Sequence, residues 1–121
     1  MRQDRVFSLI GLATKAGRTV SGEFMTEKET KAGHAYLVIV AKDASENTKK
    51  QFRNMCDFYK VPIYFYGDKD TLGHAMGREF RASLAILDEG FARGIVKHLN
   101  AALTMETECD SRSDTEKNTI A

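Results

Sequence analysis

Tyr36-Leu37-Val38-Ile39-Val40-Ala41 is the longest apolar run in this 121-residue chain. A strand covered on only one face alternates apolar and polar residues, whereas a strand covered on both faces is apolar throughout. We therefore predict a strand at residues 36–41 that lies inside a sheet with helices on both sides.

Other segments of the chain alternate between helix and strand patterns around this run. Val61–Tyr66 and Ser83–Leu87 are two more β-prone apolar runs, and Arg18–Ser21 is a short extended piece. A helix is predicted from residue 22 to 32, and a short one after Gly67. Amphipathic spacing predicts further helices at Val6, Leu9, Ile10 and Ala13, at Phe52, Met55, Cys56 and Tyr59, and at Phe91, Ile95 and Leu99. This alternation indicates an α/β fold, a three-layer α/β/α sandwich.

The charge distribution divides the chain at about residue 100. Residues 101–121 carry two basic and five acidic side chains and lose the apolar periodicity, so we expect a disordered or appended tail. Residues 1–100 carry 16 basic and 12 acidic side chains and form the predicted single domain. This mild positive excess is compatible with an RNA partner.

The sequence also predicts the cellular location of the protein. No apolar run is long enough to span a bilayer, and the first residues lack the apolar core of a signal peptide. Cys56 falls in a helical pattern and Cys109 in the polar tail, so no disulfide is expected. These features predict a cytoplasmic protein that does not associate with membranes.

The residue types that carry catalysis or bind metals form no coherent group. His34, His74 and His98 are scattered, with no partner at metal-ligand spacing. Cys56 shares its helix face with core residues, and Asp68-Lys69-Asp70 follows a turn, where carboxylates cap helices. No glycine-rich phosphate-binding motif occurs. We therefore predict no catalytic residue, no metal site and no cofactor.

The first candidate binding segment is Gly22 to Lys28. A helix that begins here presents unpaired backbone N–H groups and a partial positive charge, which suit a phosphate or a base-edge acceptor. Gly22 permits close approach of a backbone, and Lys28 and Lys31 can add positive charge. The alternative is an ordinary cap on a surface helix.

The second candidate segment is Arg78-Glu79-Phe80-Arg81, predicted to be a loop before the last strand. An exposed aromatic ring between arginines can stack on an unpaired base while the arginines neutralise phosphates. The alternative is that Phe80 packs beneath the loop as a minor core residue.

Residues 3–100 resemble the kink-turn-binding ribosomal protein family often written L-seven-A-e, in particular its small bacterial members of the YlxQ and YbxF type. The features in register are Gly22 with Lys28, Ala32-Gly33 before Leu37–Ala44, Val61-Pro62, and Leu72-Gly73-His74-Ala75-Met76-Gly77 before Ala82–Leu87.

This resemblance implies a three-layer sandwich with a mixed four-stranded sheet, and RNA binding through two neighbouring surfaces. The start of the second helix would meet the bent RNA backbone, and the loop before the last strand would hold a flipped-out nucleotide. Gly22 and Lys28 match the family's glycine and lysine. Glu79 and Phe80 fall on its acidic and apolar loop positions.

This chain departs from the family pattern beside those positions. Phe24 and Met25 stand where the family commonly has an amide or polar residue followed by Glu or Gln, and Arg81 replaces a small residue or proline. An amide can pair with a base edge, whereas Phe24 can only stack or pack. Glu23 adds a negative charge near the expected phosphate position.

We therefore expect a non-enzymatic, monomeric protein that binds structured RNA such as ribosomal RNA. The predicted contacts are Gly22, Glu23, Phe24, Lys28, Lys31, Arg78, Glu79, Phe80 and Arg81. The alternative is a protein-interaction module on the same fold, in which Phe24, Met25 and Phe80 form an exposed apolar patch for a protein partner.

Overall fold

A computed structural model describes the chain from residue 5 to residue 110, with side chains described through residue 102. The elements in chain order are α1 (Arg5–Lys15), β1 (Thr19–Ser21), α2 (Glu23–Lys31), β2 (Leu37–Val40), α3 (Glu46–Tyr59), β3 (Ile63–Phe65), α4 (Lys69–Ala75), β4 (Ser83–Ile86) and α5 (Glu89–Asp110). None of the helices among these residues is long and apolar enough to cross a membrane.

The strands form one mixed four-stranded sheet in the order β1-β4-β2-β3. β4 is antiparallel to both of its neighbours, with Ala85 opposite Val20 of β1 and opposite Val38 of β2. β3 is parallel to β2, with Tyr64 opposite Ile39. The predicted mixed sheet is confirmed, and the extended piece before the second helix is its edge strand β1.

Helices cover both faces of the sheet, as the apolar run at 36–41 predicted. One core cluster joins α1, α4 and α5 to the side of β2 that carries Leu37 and Ile39. The other joins α3 to the side that carries Val38 and Val40, with Phe52 as its largest fully buried side chain. All four residues of β2 are buried, so the three-layer sandwich is confirmed.

The last helix extends further than the sequence pattern suggested. α5 is helical to Asp110, ten residues past the predicted domain boundary at residue 100. The rest of the predicted acidic tail, residues 111–121, lies outside the described residues. The division into a domain of 1–100 and a tail of 101–121 stays a prediction.

The topology brings several loops together at one end of the sheet. Because β4 runs opposite to the other three strands, its first residue lies beside the last residues of β1 and β2. The Gly22 N–H donates to Ser83 O at 2.9 Å, and the Lys42 N–H donates to Gly67 O at 2.8 Å. The start of α2 and the loop before β4 therefore meet here, at what we call the loop end of the sheet.

Candidate nucleic-acid interface

The start of α2 has an open backbone at Gly22. Its backbone has φ 90° and ψ 156°, a conformation that residues with a Cβ atom rarely adopt. Apart from the adjacent residues, no heavy atom lies within 4 Å of the position that a Cβ would take. Gly22 has no side chain that could cap the helix. The first N–H groups of α2 can therefore be approached closely by an acceptor.

One face of α2 points to solvent and carries three of the predicted contacts. Thr26 and Thr30 are buried on the inner face. Phe24, Lys28 and Lys31 follow each other at i, i+4 and i+7, which places them on a single outer face. Phe24 is 74% exposed, and both lysines are exposed.

The two lysines on this face differ in their surroundings. Lys31 Nζ lies 2.7 Å from Glu27 Oε2, and this hydrogen bond to the carboxylate raises the pKa of Lys31. Among the described residues, no ion pair involves Lys28. Lys28 is therefore the more available cation, whereas a phosphate would have to compete with Glu27 for Lys31.

The loop that carries Phe80 is fixed by its contact with α4. Gly73 of α4 is buried, and a Cβ at this position would lie only 1.9 Å from Glu79 O and 2.6 Å from Glu79 C. The Arg78 N–H donates to Gly73 O at 2.7 Å, and Gly77 turns the chain with φ 73°. The two glycines of the Leu-Gly-x-Ala-x-Gly element thus let the loop backbone lie directly on the helix.

This anchored loop presents Phe80 to solvent. Phe80 is 64% exposed, so the alternative that it is a minor core residue is wrong. Arg78 and Glu79 are also exposed. Because the backbone beneath the ring is held by α4, Phe80 offers a positioned apolar surface on which a base could stack.

Arg81 ties the loop to the start of α2. Its Nε donates to Ser21 Oγ at 2.8 Å, and its terminal nitrogen donates to Phe80 O at 2.7 Å. The side chain is only partly exposed. Ser21 directly precedes Gly22, so this contact joins the two candidate segments. It also gives Arg81 a positioning role, different from the phosphate contact predicted for it.

Some of the residues that hold this region together were not identified from the sequence. Ser21 and Gly73 were not predicted to connect the two segments, although their contacts hold them in place. Asp43 acts on an element far along the chain: its Oδ1 accepts from the Lys69 N–H at 2.9 Å and fixes the start of α4. A carboxylate between a strand and a helix indicates a cap on that next helix, here α3, so no local pattern identifies the contact of Asp43 with α4.

Histidine, cysteine and carboxylate side chains are the groups that most often support catalysis or bind a metal ion. No His, Cys, Asp and Glu cluster able to hold a metal ion occurs among the described residues. Cys56 lies in the core, and burial raises the pKa of its thiol to about 11, so the nucleophilic thiolate is disfavoured at neutral pH.

The chain is similar to known proteins over most of its length. Residues 4–96 match the model of the ribosomal protein L7Ae/L30e/S12e/Gadd45 family. The chain is 39% identical to "RNA-binding protein YlxQ" of Bacillus subtilis (strain 168), over 78% of this chain and 94% of that protein. It is 35% identical to "RNA-binding protein YlxQ" of Enterococcus faecium, over 75% of this chain and 87% of that protein.

Solved structures share the fold, and two of them serve as examples. One is a protein with unknown function from Bacillus halodurans, with a TM-score of 0.79 and 32% identity over 81% of this chain and 99% of the other. The second is the Giardia lamblia 15.5kD RNA binding protein, with a TM-score of 0.69 and 18% identity over 87% and 93%. From the match to its model, this chain belongs to the ribosomal protein L7Ae/L30e/S12e/Gadd45 family.

Proposed function

We propose that this protein is a non-enzymatic, cytoplasmic RNA-binding protein that recognises structured, kink-turn-like RNA, such as ribosomal RNA, at the loop end of the sheet. The observation that carries the proposal is the hydrogen bond of 2.8 Å from Arg81 Nε to Ser21 Oγ, which joins the two candidate segments. Family membership and the names of the two YlxQ relatives support the same class of ligand.

The backbone at the start of α2 and the side chain of Lys28 would bind phosphate. Gly22 leaves open space beside the first turn, where N–H groups and the helix dipole favour an anion. Lys28 adds an exposed cation one turn further along the same helix. Glu23 in this first turn offsets part of the attraction, so we assign it no direct contact with phosphate.

The exposed rings would bind an unpaired base. Phe80 stands on a loop whose backbone is fixed by Gly73, and Arg78 beside it can neutralise a phosphate. Phe24 offers a second exposed ring on the outer face of α2. A ring can stack on any base, because every base has a π face, so Phe24 favours an extruded nucleotide over the edge of a pair.

The test is a titration of the full chain against a kink-turn stem-loop and a straight duplex of matched length at moderate salt, which suppresses nonspecific binding. We expect clear preference for the bent RNA. Phe80→Ala should weaken that binding by about 1–3 kcal/mol, because a stacked base is lost. Phe58→Ala is the matched control, since Phe58 is 75% exposed at the far end of α3.

Equal, weak and salt-sensitive binding to both RNAs would contradict the proposal, as would a Phe80→Ala variant that binds like the Phe58→Ala control. The protein-interaction module would then be the better function. Exposure of Phe24 and Phe80 favours that second candidate, although Met25, the third residue of the expected patch, is half-buried.

A further inference from the structure

β3 is the last strand of the sheet on the side opposite β1, so one of its edges faces no described strand. Its pairing with β2 is fixed at both ends. The Val38 N–H donates to Pro62 O and the Tyr66 N–H donates to Val40 O, each at 3.0 Å. Backbone groups that face a partner alternate along a strand with groups that face away from it.

The alternation places the backbone N–H and C=O groups of Ile63 and Phe65 on the outer edge of β3. Such a row of polar groups is a template for another strand. The strand is short, and Pro62 precedes it, features by which proteins limit uncontrolled pairing at sheet edges. The edge therefore suits one short, defined segment better than an extended sheet.

The surfaces on the two sides of this edge differ in character. Towards α5, beside Pro62 at the start of β3, there is a cleft of about 310 Å³ whose apolar lining is Tyr36, Pro62, Ala92 and Val96. The charges at its rim, Glu89 and Arg93, form an ion pair of 2.7 Å with each other. Towards α3 there is a cleft of about 450 Å³, lined in part by Arg53, Asp57 and Lys60.

The α3 side is positively charged. One face of this helix carries Glu46, Lys49, Lys50, Arg53 and Asp57, and Lys49 is paired with Glu46 at 3.6 Å. Lys60 follows the helix and lines the same cleft, so the basic residues here outnumber the acidic ones by four to two. The guanidinium of Arg53 lies 5.1 Å from the centre of the Phe65 ring, so this charged face borders β3 directly.

Side chains of an added strand would point alternately to these two surfaces. Every second residue would face the cations beside α3, and the residues between would face the α5 side, where the apolar cleft lies at the start of β3. We propose that the outer edge of β3 binds an extended segment of a protein partner in which acidic and apolar residues alternate. Backbone hydrogen bonds to Ile63 and Phe65 would hold the segment, and Arg53 and Lys60 would select its acidic residues.

This surface is separate from the candidate RNA interface. The start of α2 and the Phe80 loop border β1 and β4, whereas β3 is the opposite edge strand. An RNA and a peptide segment could therefore be held at the same time, and the two activities can be tested independently.

The experiment is an NMR titration of the ¹⁵N-labelled full chain with the capped peptide Glu-Val-Glu-Val-Glu-Val at up to about 1 mM, the range of weak single-motif binding. The control peptides are Lys-Val-Lys-Val-Lys-Val and the block sequence Glu-Glu-Glu-Val-Val-Val. We expect the Ile63 and Phe65 amide signals to shift and their hydrogen exchange to slow. The alternating acidic peptide should bind about tenfold tighter than either control.

The variant Arg53→Glu should no longer bind the alternating acidic peptide and should bind the alternating lysine peptide instead. Lys28→Glu, on the side of the candidate RNA interface, should change the affinity for neither peptide. Equal binding of all three peptides, absence of shifts at Ile63 and Phe65, or shifts confined to Phe24 and Phe80 would overturn the proposal. Sedimentation of the free protein as a dimer with these two amides already protected would overturn it too, because a second copy would occupy the edge.

Discussion

Replacement of Gly73 by alanine tests whether the contact between α4 and the Phe80 loop builds the candidate interface. A Cβ at this position would lie 1.9 Å from Glu79 O, and contacts of a Cβ below 3.0 Å essentially do not occur in proteins. The neighbour is backbone, which cannot rotate away as a side chain would. The Glu79 carbonyl must therefore move by about 1.1 Å, and Phe80 must move with it.

Two opposing contributions set the change in stability. Overpacking at a tight contact costs about 1–3 kcal/mol, whereas alanine gains about 1 kcal/mol over glycine inside a helix. We expect Gly73→Ala to lower the free energy of unfolding by about 0–2 kcal/mol. The displaced ring should cost RNA binding about 1–3 kcal/mol, or about fivefold to 150-fold in affinity.

The assay is fluorescence anisotropy with a labelled kink-turn stem-loop, together with chemical denaturation of each variant. Gly94→Ala is the matched control, because Gly94 is also helical and a Cβ there would meet Leu9 Cδ1 at an ordinary 3.6 Å. The control should gain up to about 1 kcal/mol of stability and bind RNA normally. If Gly73→Ala also gains stability and keeps full affinity, the loop is not anchored as described.

The remaining predictions concern four side chains. Lys28→Ala should reduce the steepness of the plot of log association constant against log salt concentration by about 0.7–0.9. Lys31→Ala should reduce it less, because Lys31 is paired with Glu27. Equal slopes for both variants would contradict this assignment. Phe24→Asn should raise the preference for kink-turn RNA over a straight duplex in the same titration, because an amide can pair with a base edge whereas a ring stacks on any base. Thermal stability should change little, because the ring that is removed is exposed. Hydrogen bonds from Thr71 lower the pKa of Asp68 below its ordinary 3.8, so this carboxylate stabilises the fold above about pH 4 and loses that effect as pH falls through the lowered value. Asp68→Asn should therefore flatten the acid side of a plot of melting temperature against pH, and an unchanged plot would remove Asp68 as a source of acid sensitivity.

The hydrophobic patterns predicted most of the fold, because its central strands are buried along their whole length. All residues of β2 and β4 are buried, and all of them except Ser83 are apolar. β1 could be identified only as a short extended piece. Thr19 and Ser21 give it no apolar pattern, and it exists as a strand because Ser21 pairs with Leu84, far away in the chain. Such long-range pairing overrides local propensity.

The candidate interface was predictable in its segments but not in its connections. Exposure of Phe80 was left open, since a loop phenylalanine can pack either way. The bond between Ser21 and Arg81 spans 60 positions in the sequence, so no local pattern contains it. The pairing of Lys31 with Glu27 could have been predicted, because opposite charges four residues apart on a helix are neighbours.

The residues at the loop end divide into those that build it and those that face solvent. Gly22, Gly73 and Arg81 fix the backbone and join the two segments, so their replacement should alter folding and binding together. Phe24 and Phe80 are exposed, and exposed substitutions usually change stability by less than about 0.5 kcal/mol. Replacing Phe24 or Phe80 should therefore change binding at little cost to the fold. In the proposed interface, Phe24 would offer stacking at the position where the family pattern has an amide.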